Sequence, residues 1–332
     1  MTARALTGWP GPPVVPPGLD SMREAARRLE GTIVRTPLLP LTDDQDSHIY
    51  LKPEVLQPIG SFKVRGVGNW ALALTDQEAA RGLSTTSAGN TAIALGHMAR
   101  NLGVSSRSMV PENMHEGKRK AIAAYGTELV GMSMTELMAY MFEEQWREEP
   151  YSYLNPWGER LMIAGHGTLG LEVYDDLPGI ESVFVPVGGG ALISGVASAL
   201  KELTGGRVRV YGVQAAVNSA LAAAFAAGGP VWIDWRETIV EGASTPVITH
   251  NMYPMLRELV DEVVLVTEEE VESAIRRLAL RDKLVTEGAG AAAVAGALKV
   301  PLQERGVSVC VVSGGSVDPG VLARVLGSTA AH

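Results

Sequence analysis

Apolar and polar positions switch between two periods along this chain. Short apolar runs of strand length occur at Ile49 to Lys52, at Leu83 to Thr85, and in the segments SRSMVPE, TELVGM, SVFVPV, VRVYGVQ, Asp261 to Val266 and VSVCVV. Between them lie stretches with helical spacing. Ser21 to Leu29 has helical composition, with Ser21 as its cap. Val67 to Leu74 reads as a helix, and Thr75 to Ala80 as a second, capped start. After Ser87-Ala88-Gly89-Asn90, the residues Ile93, Leu95, Met98 and Leu102 share one face. KRKAIAAYG, MTELMAYMFEEQW, the stretch opening at Ala191-Leu192, and EEEVESAIRRLALRDKL are also helical. Strand-turn-helix units repeated at this spacing predict an α/β fold of parallel sheets covered by helices. In MTELMAYMFEEQW, Met134, Leu137, Met138 and Met141 recur at helical spacing and are read as core, with a dimer or lid contact as the alternative.

Composition narrows the class. At 332 residues the chain exceeds what a single core usually reaches, so two domains are expected. It is 46% hydrophobic and 20% charged, which fits a folded soluble chain. The net charge of −9 and the lack of a basic stripe argue against nucleic acid as a partner. No run of about 18 apolar residues is present to span a membrane, and the N-terminus lacks a signal-peptide core. Cys310 is the only cysteine and lies in an apolar run, as expected of a small buried residue in a reducing compartment. The reading is a cytoplasmic protein. The six histidines show no zinc spacing, and no metal is expected. His166 and His250 stand nearest the motifs below.

Three glycine-bearing turns follow predicted strands: Ser87-Ala88-Gly89-Asn90, Gly188-Gly189-Gly190 and Ser313-Gly314-Gly315-Ser316. Ligands in open α/β sheets bind at such strand ends. Gly188-Gly189-Gly190 runs into a helix at Ala191-Leu192, which suits an anion. Ile193 breaks a dinucleotide fingerprint, and no Gly-Lys-Ser/Thr follows, so a lone phosphate fits better than a dinucleotide or a nucleoside triphosphate. Lys63, one of seven lysines, sits between Phe62 and Val64 in LQPIGSFKVRG. An apolar setting disfavours the charged amine and frees it for Schiff-base chemistry. A phosphate turn with such a lysine points to pyridoxal 5′-phosphate.

QPIGSFKVRG, SAGN, PVGGGALISG, EGAGA (Glu287 to Ala291) and SGGSVD occur in this order. With NPWGERLMIAGHGTLGLE, they resemble the serine/threonine dehydratase branch of the fold-type-II, tryptophan-synthase-β-like pyridoxal-phosphate enzymes, over about residues 30 to 325. The resemblance implies two open twisted, mostly parallel sheets with helices on both faces. Residues 1–80 with 159–332 would form a large cofactor-binding domain, and residues 81–158 a small domain that closes over the substrate. It implies that Lys63 forms the Schiff base and moves the α-proton, with Phe62 beside the cofactor ring. Gly188, Gly189, Gly190 and Ala191 would hold the phosphate, with Leu192 adding an amide. Asn90 would meet the ring 3′-oxygen and Ser313 the pyridine nitrogen. Ser87, Ala88, Gly89 and Thr91 would take the substrate carboxylate. Glu287 would line the pocket as a second catalytic candidate, and Gly242 would give backbone to its substrate side. A homodimer is implied, with the Pro-rich N-terminus a candidate for crossing to the neighbour.

The implied reaction removes water from a threonine- or serine-type β-hydroxy-α-amino acid and releases a 2-oxo acid and ammonia. A neutral hydroxyl at Ser313 does not hold the ring nitrogen protonated, which favours β-elimination over transamination. The alternatives are β-replacement, elimination from a bulkier 3-substituted serine, racemisation, and cofactor binding without turnover. Ala88 stands where racemases of this family place a serine, which argues against racemisation. Ile59, Thr91 and Ser316 also depart from the usual motifs. Gln214, Ala216 and Asn218 occupy positions where some relatives bind a divalent cation through carboxylates, so that site is read as lost. No tail follows the last helix, which leaves no room for a regulatory domain.

Overall fold

The structure, a computed structural model, describes residues 4–5, 12–42 and 48–328. Residues 1–3 and 6–11 of the Pro-rich N-terminal stretch, and His332, lie outside the described residues. The strands are β1 (Arg4–Ala5), β2 (Leu39–Pro40), β3 (Ile49–Pro53), β4 (Leu83–Thr86), β5 (Ser106–Pro111), β6 (Glu128–Met132), β7 (Ser152–Leu154), β8 (Ser182–Pro186), β9 (Arg209–Ala215), β10 (Val231–Trp232), β11 (Glu262–Val266) and β12 (Ser308–Val312). Six of them form one sheet in the order β11-β9-β8-β12-β3-β2. It is parallel except for β2, which runs antiparallel along the edge at β3. A second, wholly parallel sheet has the order β6-β5-β4-β7. β1 and β10 make a short antiparallel ribbon. The parallel α/β architecture is the one the alternating periods predict, and its division into two mostly parallel sheets is the one the resemblance implies.

Central strands β8 and β12 are buried at every residue. That is why SVFVP and SVCVV read as continuous apolar runs rather than alternating ones. The longest helix, Arg160–Asp176, packs against the helices Lys63–Ala73 and Ala191–Thr204. Its periodicity gives no signal, because it is buried from Met162 through Gly170 without a polar stripe. Its glycines allow the close approach. A Cβ on Gly165 would sit 2.3 Å from the backbone oxygen of Arg65.

Two helix starts differ from expectation. The first helix spans Leu19–Arg28 with Gly18 at its N-cap, so Ser21 lies inside the first turn. The helix expected from Val67 begins at Lys63. The capped start at Thr75 forms as a capping box with Glu78. In helix Met134–Phe142, Leu137 is core, but Met134 is 59% exposed at the first turn.

Candidate active site

Lys63 is the first residue of its helix, and the turn before it is tied to two other loops by backbone hydrogen bonds. Phe62 N–H donates to the Ser313 oxygen at 3.0 Å, and Gly315 N–H to the Gly60 oxygen at 2.9 Å. Ser61 bridges Gly314, and Glu287 N–H donates to the Gly314 oxygen at 3.1 Å. Three motifs that are remote in sequence, at 60–63, 287 and 313–315, thus share one ladder. The ends of β12 and β3, which are paired in register, place them side by side.

On the cleft side, Lys63 and Glu287 keep part of their surface exposed, yet dense surroundings desolvate both charged ends. Burial pushes the Lys63 amine down to about 8, with the Glu287 charge acting the other way. Burial raises the Glu287 carboxyl to about 7. The Asn90 hydrogen bond opposes that rise, and the Glu241 charge adds to it. Glu287 stands at the N-cap of helix Gly288–Lys299 but does not cap it. Its Oε1 instead accepts from Asn90 Nδ2 at 2.9 Å. Asn90 Oδ1 accepts from Ser316 Oγ at 2.7 Å. The second Asn90 amide hydrogen remains for a ligand. Gly242 is exposed at the rim, where a Cβ would lie 3.4 Å from Glu287 Oε1.

The neighbouring residue Ala243 connects this group to the phosphate-type turn, since a Cβ on Gly188 would meet its Cα at 3.3 Å. Here the backbone amides of Gly188, Gly189, Gly190, Ala191 and Leu192 have no protein acceptor among the described residues. They lead into the 14-residue helix Ala191–Thr204, whose dipole favours an anion at this end. Gly190 has φ 98° and faces Leu256, so only glycine fits without strain. At the end of β4, the amides of Ala88, Asn90 and Thr91 are similarly open, while Gly89 N–H is bound at 3.3 Å to Ser87 Oγ. Ser313 is 3% exposed, and its hydroxyl takes no protein partner among the described residues.

Behind Lys63 lies a group that the sequence reading did not assign. Arg65 is wholly buried and clamps two carboxylates. Its Nε and Nη2 reach Glu54 at 2.7 and 2.9 Å, and its Nη1 and Nη2 reach Glu172 at 2.7 and 2.9 Å. Lys52, also buried, pairs with Glu172 at 2.7 Å and donates to the Thr36 oxygen at 2.6 Å. Burial works against the Arg65 charge, but Glu54 and Glu172 outweigh it and hold it above its ordinary value. Burial would raise Glu54, but Arg65 keeps it below the usual carboxylate range. His166 packs on Phe62 with ring centroids 4.8 Å apart. Burial, reinforced by the Lys63 and Arg65 charges, drives its pKa well below the ordinary value, so the ring stays neutral. Trp157 lies over Gly189, where a Cβ would meet its ring at 3.8 Å, and it too was unassigned.

The cation-site positions have other occupations. Gln214 donates to the Val187 oxygen at 3.0 Å and accepts from Leu221 and Ala222 N–H at 2.9 and 3.2 Å, capping helix Ala220–Ala227. Asn218 exchanges two hydrogen bonds with the Arg236 backbone, at 2.6 and 2.9 Å. His250 is exposed.

The cleft-side donors fit pyridoxal phosphate. Five consecutive open amides suit a phosphate, an amine with a lowered pKa suits an aldehyde, and Asn90 and Ser313 offer neutral groups to ring heteroatoms. Comparison with known proteins agrees. A sequence profile described as pyridoxal-phosphate dependent enzyme matches residues 29–314. The catabolic L-threonine dehydratase of Staphylococcus aureus is 35% identical over 319 residues, covering 93% of this chain and 91% of that protein. Maize serine racemase superposes with a TM-score of 0.86 at 29% identity, covering 93% of this chain and 97% of that one. A threonine deaminase from the organism abbreviated T.th. superposes at 0.82 with 32% identity, covering 91% and 99%. With this donor set and these likenesses over nearly its whole length, the chain belongs to the pyridoxal-phosphate dependent enzymes.

Proposed function

We propose that the protein is an ammonia-lyase that removes water from a threonine- or serine-type β-hydroxy-α-amino acid and yields a 2-oxo acid and ammonia. The observation that carries this is Lys63. Its amine is lowered to about 8 by burial at the head of a helix, and the turn before it is bonded to Ser313, a neutral residue standing where a ring-nitrogen partner is expected. An amine titrating near 8 is available as a base at neutral pH, where an ordinary lysine is not. When bound, the cofactor supplies the electron sink that makes the α-proton removable.

The chain's own residues then have distinct tasks. With the cofactor bound, the Gly188–Leu192 amides would hold the phosphate, Phe62 would lie beside the ring, Asn90 would meet the ring oxygen and Ser313 the ring nitrogen. Lys63 takes the α-proton. Ser87, Ala88 and Thr91, with the turn at Gly89, hold the carboxylate. Glu287, raised to about 7, keeps Asn90 oriented and lines the pocket with Gly242. Residues 81–158 carry the four-stranded sheet and close over the substrate, excluding water. Residues 1–80 and 159–332 hold the cofactor.

Although a serine racemase is among the similar structures, Ala88 offers no hydroxyl to reprotonate the opposite face of the substrate. The S. aureus dehydratase and the threonine deaminase support elimination. We place the enzyme in the cytoplasm, in keeping with its single buried thiol at Cys310, and as a homodimer, which rests on resemblance alone and which sedimentation tests. Among the described residues no helix is long and apolar enough to cross a membrane.

The test is an absorbance spectrum of the purified protein, followed through addition of L-threonine, L-serine and their D- and β-substituted analogues, with oxo-acid release assayed in parallel. Oxo acid from a β-hydroxy amino acid is the expected result. Cofactor absorbance that shifts without oxo acid, until a thiol or amine nucleophile is added, would replace elimination with β-replacement.

A further inference from the structure

The substrate-carboxylate loop hangs from the end of β4, and a side chain on the neighbouring strand fixes its first peptide. Ser108 is wholly buried on β5, opposite Thr85 in the register. Its Oγ accepts from Ser87 N–H at 3.2 Å and donates to the Ser87 oxygen at 2.7 Å. One hydroxyl therefore takes both backbone groups of the first loop residue. On the other flank, Tyr153 of β7 shares a hydrogen bond of 2.9 Å with Thr86 Oγ1. β4 thus ends clamped from both neighbours.

The Ser108 contact has a directional consequence. The peptide between Ser87 and Ala88 is planar and trans, so its C=O and N–H point opposite ways. With the Ser87 oxygen held on Ser108, the Ala88 N–H must face away from β5. That amide has no protein acceptor among the described residues, and neither do Asn90 and Thr91 at the head of the 13-residue helix Asn90–Leu102. These are the donors left for an anion at the helix dipole's positive end.

We propose that Ser108 is a positioning residue for substrate binding: by fixing the Ser87 peptide it aims the Ala88 amide at the α-carboxylate of the amino acid. The proposal rests on the functional reading of the Ser87–Thr91 loop but not on the elimination step. Removing the hydroxyl leaves the Ser87 N–H and C=O without partners, and the peptide is free to rotate. A misaimed N–H to a carboxylate is worth about ten- to a hundredfold in affinity.

The test uses Ser108→Ala and the milder Ser108→Cys in the cofactor-loaded enzyme. L-Alanine is the probe, because it carries the carboxylate and amine but no β-leaving group. Its dissociation constant is read from the shift of the cofactor absorbance. Hydrogen exchange across residues 84–92 is read in parallel, as are KM and kcat for L-threonine. Expected are weaker L-alanine binding by about tenfold or more in Ser108→Ala and less in Ser108→Cys, faster exchange at residues 87–91, a raised KM, and a kcat within about threefold. Unchanged exchange would remove the clamp. Faster exchange with unchanged L-alanine affinity would remove the loop from carboxylate binding, and either result overturns the proposal. Loss of cofactor absorbance in step with affinity would assign Ser108 to cofactor retention and overturn it too. If no β-hydroxy amino acid yields oxo acid in the wild type while L-alanine binding still weakens in Ser108→Ala, the lyase reading fails and Ser108's role stands.

Discussion

Two polar regions meet at Lys63, and they are built on opposite terms. Behind it, Arg65, Glu54, Glu172 and Lys52 are buried and bonded to one another at 2.7 to 2.9 Å. In front, the Gly188–Leu192 amides and those of Ala88, Asn90 and Thr91 have no protein acceptor among the described residues. An amide that the protein leaves open at the head of a helix is available to an anion, whereas a charge already saturated by partners is not. The saturated region holds the helix of Lys63 in place, and on the proposed reading the open amides take the ligands. Polarity is common to both, and they differ in whether the protein itself supplies the partners.

The sharpest way to separate the two regions is to alter each and read stability and activity independently. Lys63→Ala should abolish the cofactor absorbance and turnover while leaving the urea midpoint of the cofactor-free protein unchanged or higher, since the amine is desolvated without a close partner. Arg65→Met should do the reverse in kind, destabilising the cofactor-free protein by about 3–5 kcal/mol, because buried Glu54 is left with only the neutral donors Thr36 and Gln57 and Glu172 with only Lys52. If Arg65→Met costs no stability, the supporting role of the rear group is wrong.

Gly190→Ala tests the front at its tightest point. Its φ of 98° and the Leu256 contact add about 1–2 kcal/mol of strain, and cofactor affinity by equilibrium dialysis should fall about tenfold. Wild-type affinity in this variant would show that the turn does not need its present shape.

The front also carries pH dependence of definite sign. Folded Glu287 titrates at about 7, against the ordinary 4.5, so the folded protein binds more protons between those values. Stability of the cofactor-free protein should therefore fall as pH rises from 4.5 to 7, and Glu287→Gln should remove that slope. Lys63, lowered from 10.5 to about 8, acts the opposite way in a higher window. There the unfolded chain binds more protons, so stability rises from pH 8 to 10.5. The smallest effect belongs to the exposed ion pair of Lys118 and Glu241, near the cleft rim. Lys118→Ala should change stability by less than about 1 kcal/mol in thermal melts.

Legibility in the sequence followed the same division. The front was readable because each turn is local: Ser87 to Thr91, Gly188 to Leu192 and Ser313 to Ser316 are contiguous, and glycine marks them. The rear was not. Arg65 finds its carboxylates 11 and 107 residues away, and nothing in SFKVRG distinguishes a buried arginine from a solvated one. Helix Arg160–Asp176 escaped because it is buried all round, and periodicity needs a polar face to be seen. Ser108 was one serine in an ordinary strand, and only the β4–β5 register places it against Ser87.

The sequence by itself determined the family, the parallel α/β architecture, the lysine and the glycines that let backbone face a phosphate, because these are contiguous patterns. The tertiary structure alone decided which charges are paired, which amides stay open, and that an amine and a carboxyl in one cleft titrate near 8 and 7. Desolvation and pairing depend on what surrounds a group in space, and here those surroundings come from segments remote in sequence, such as Asn90 and Glu287, 197 residues apart.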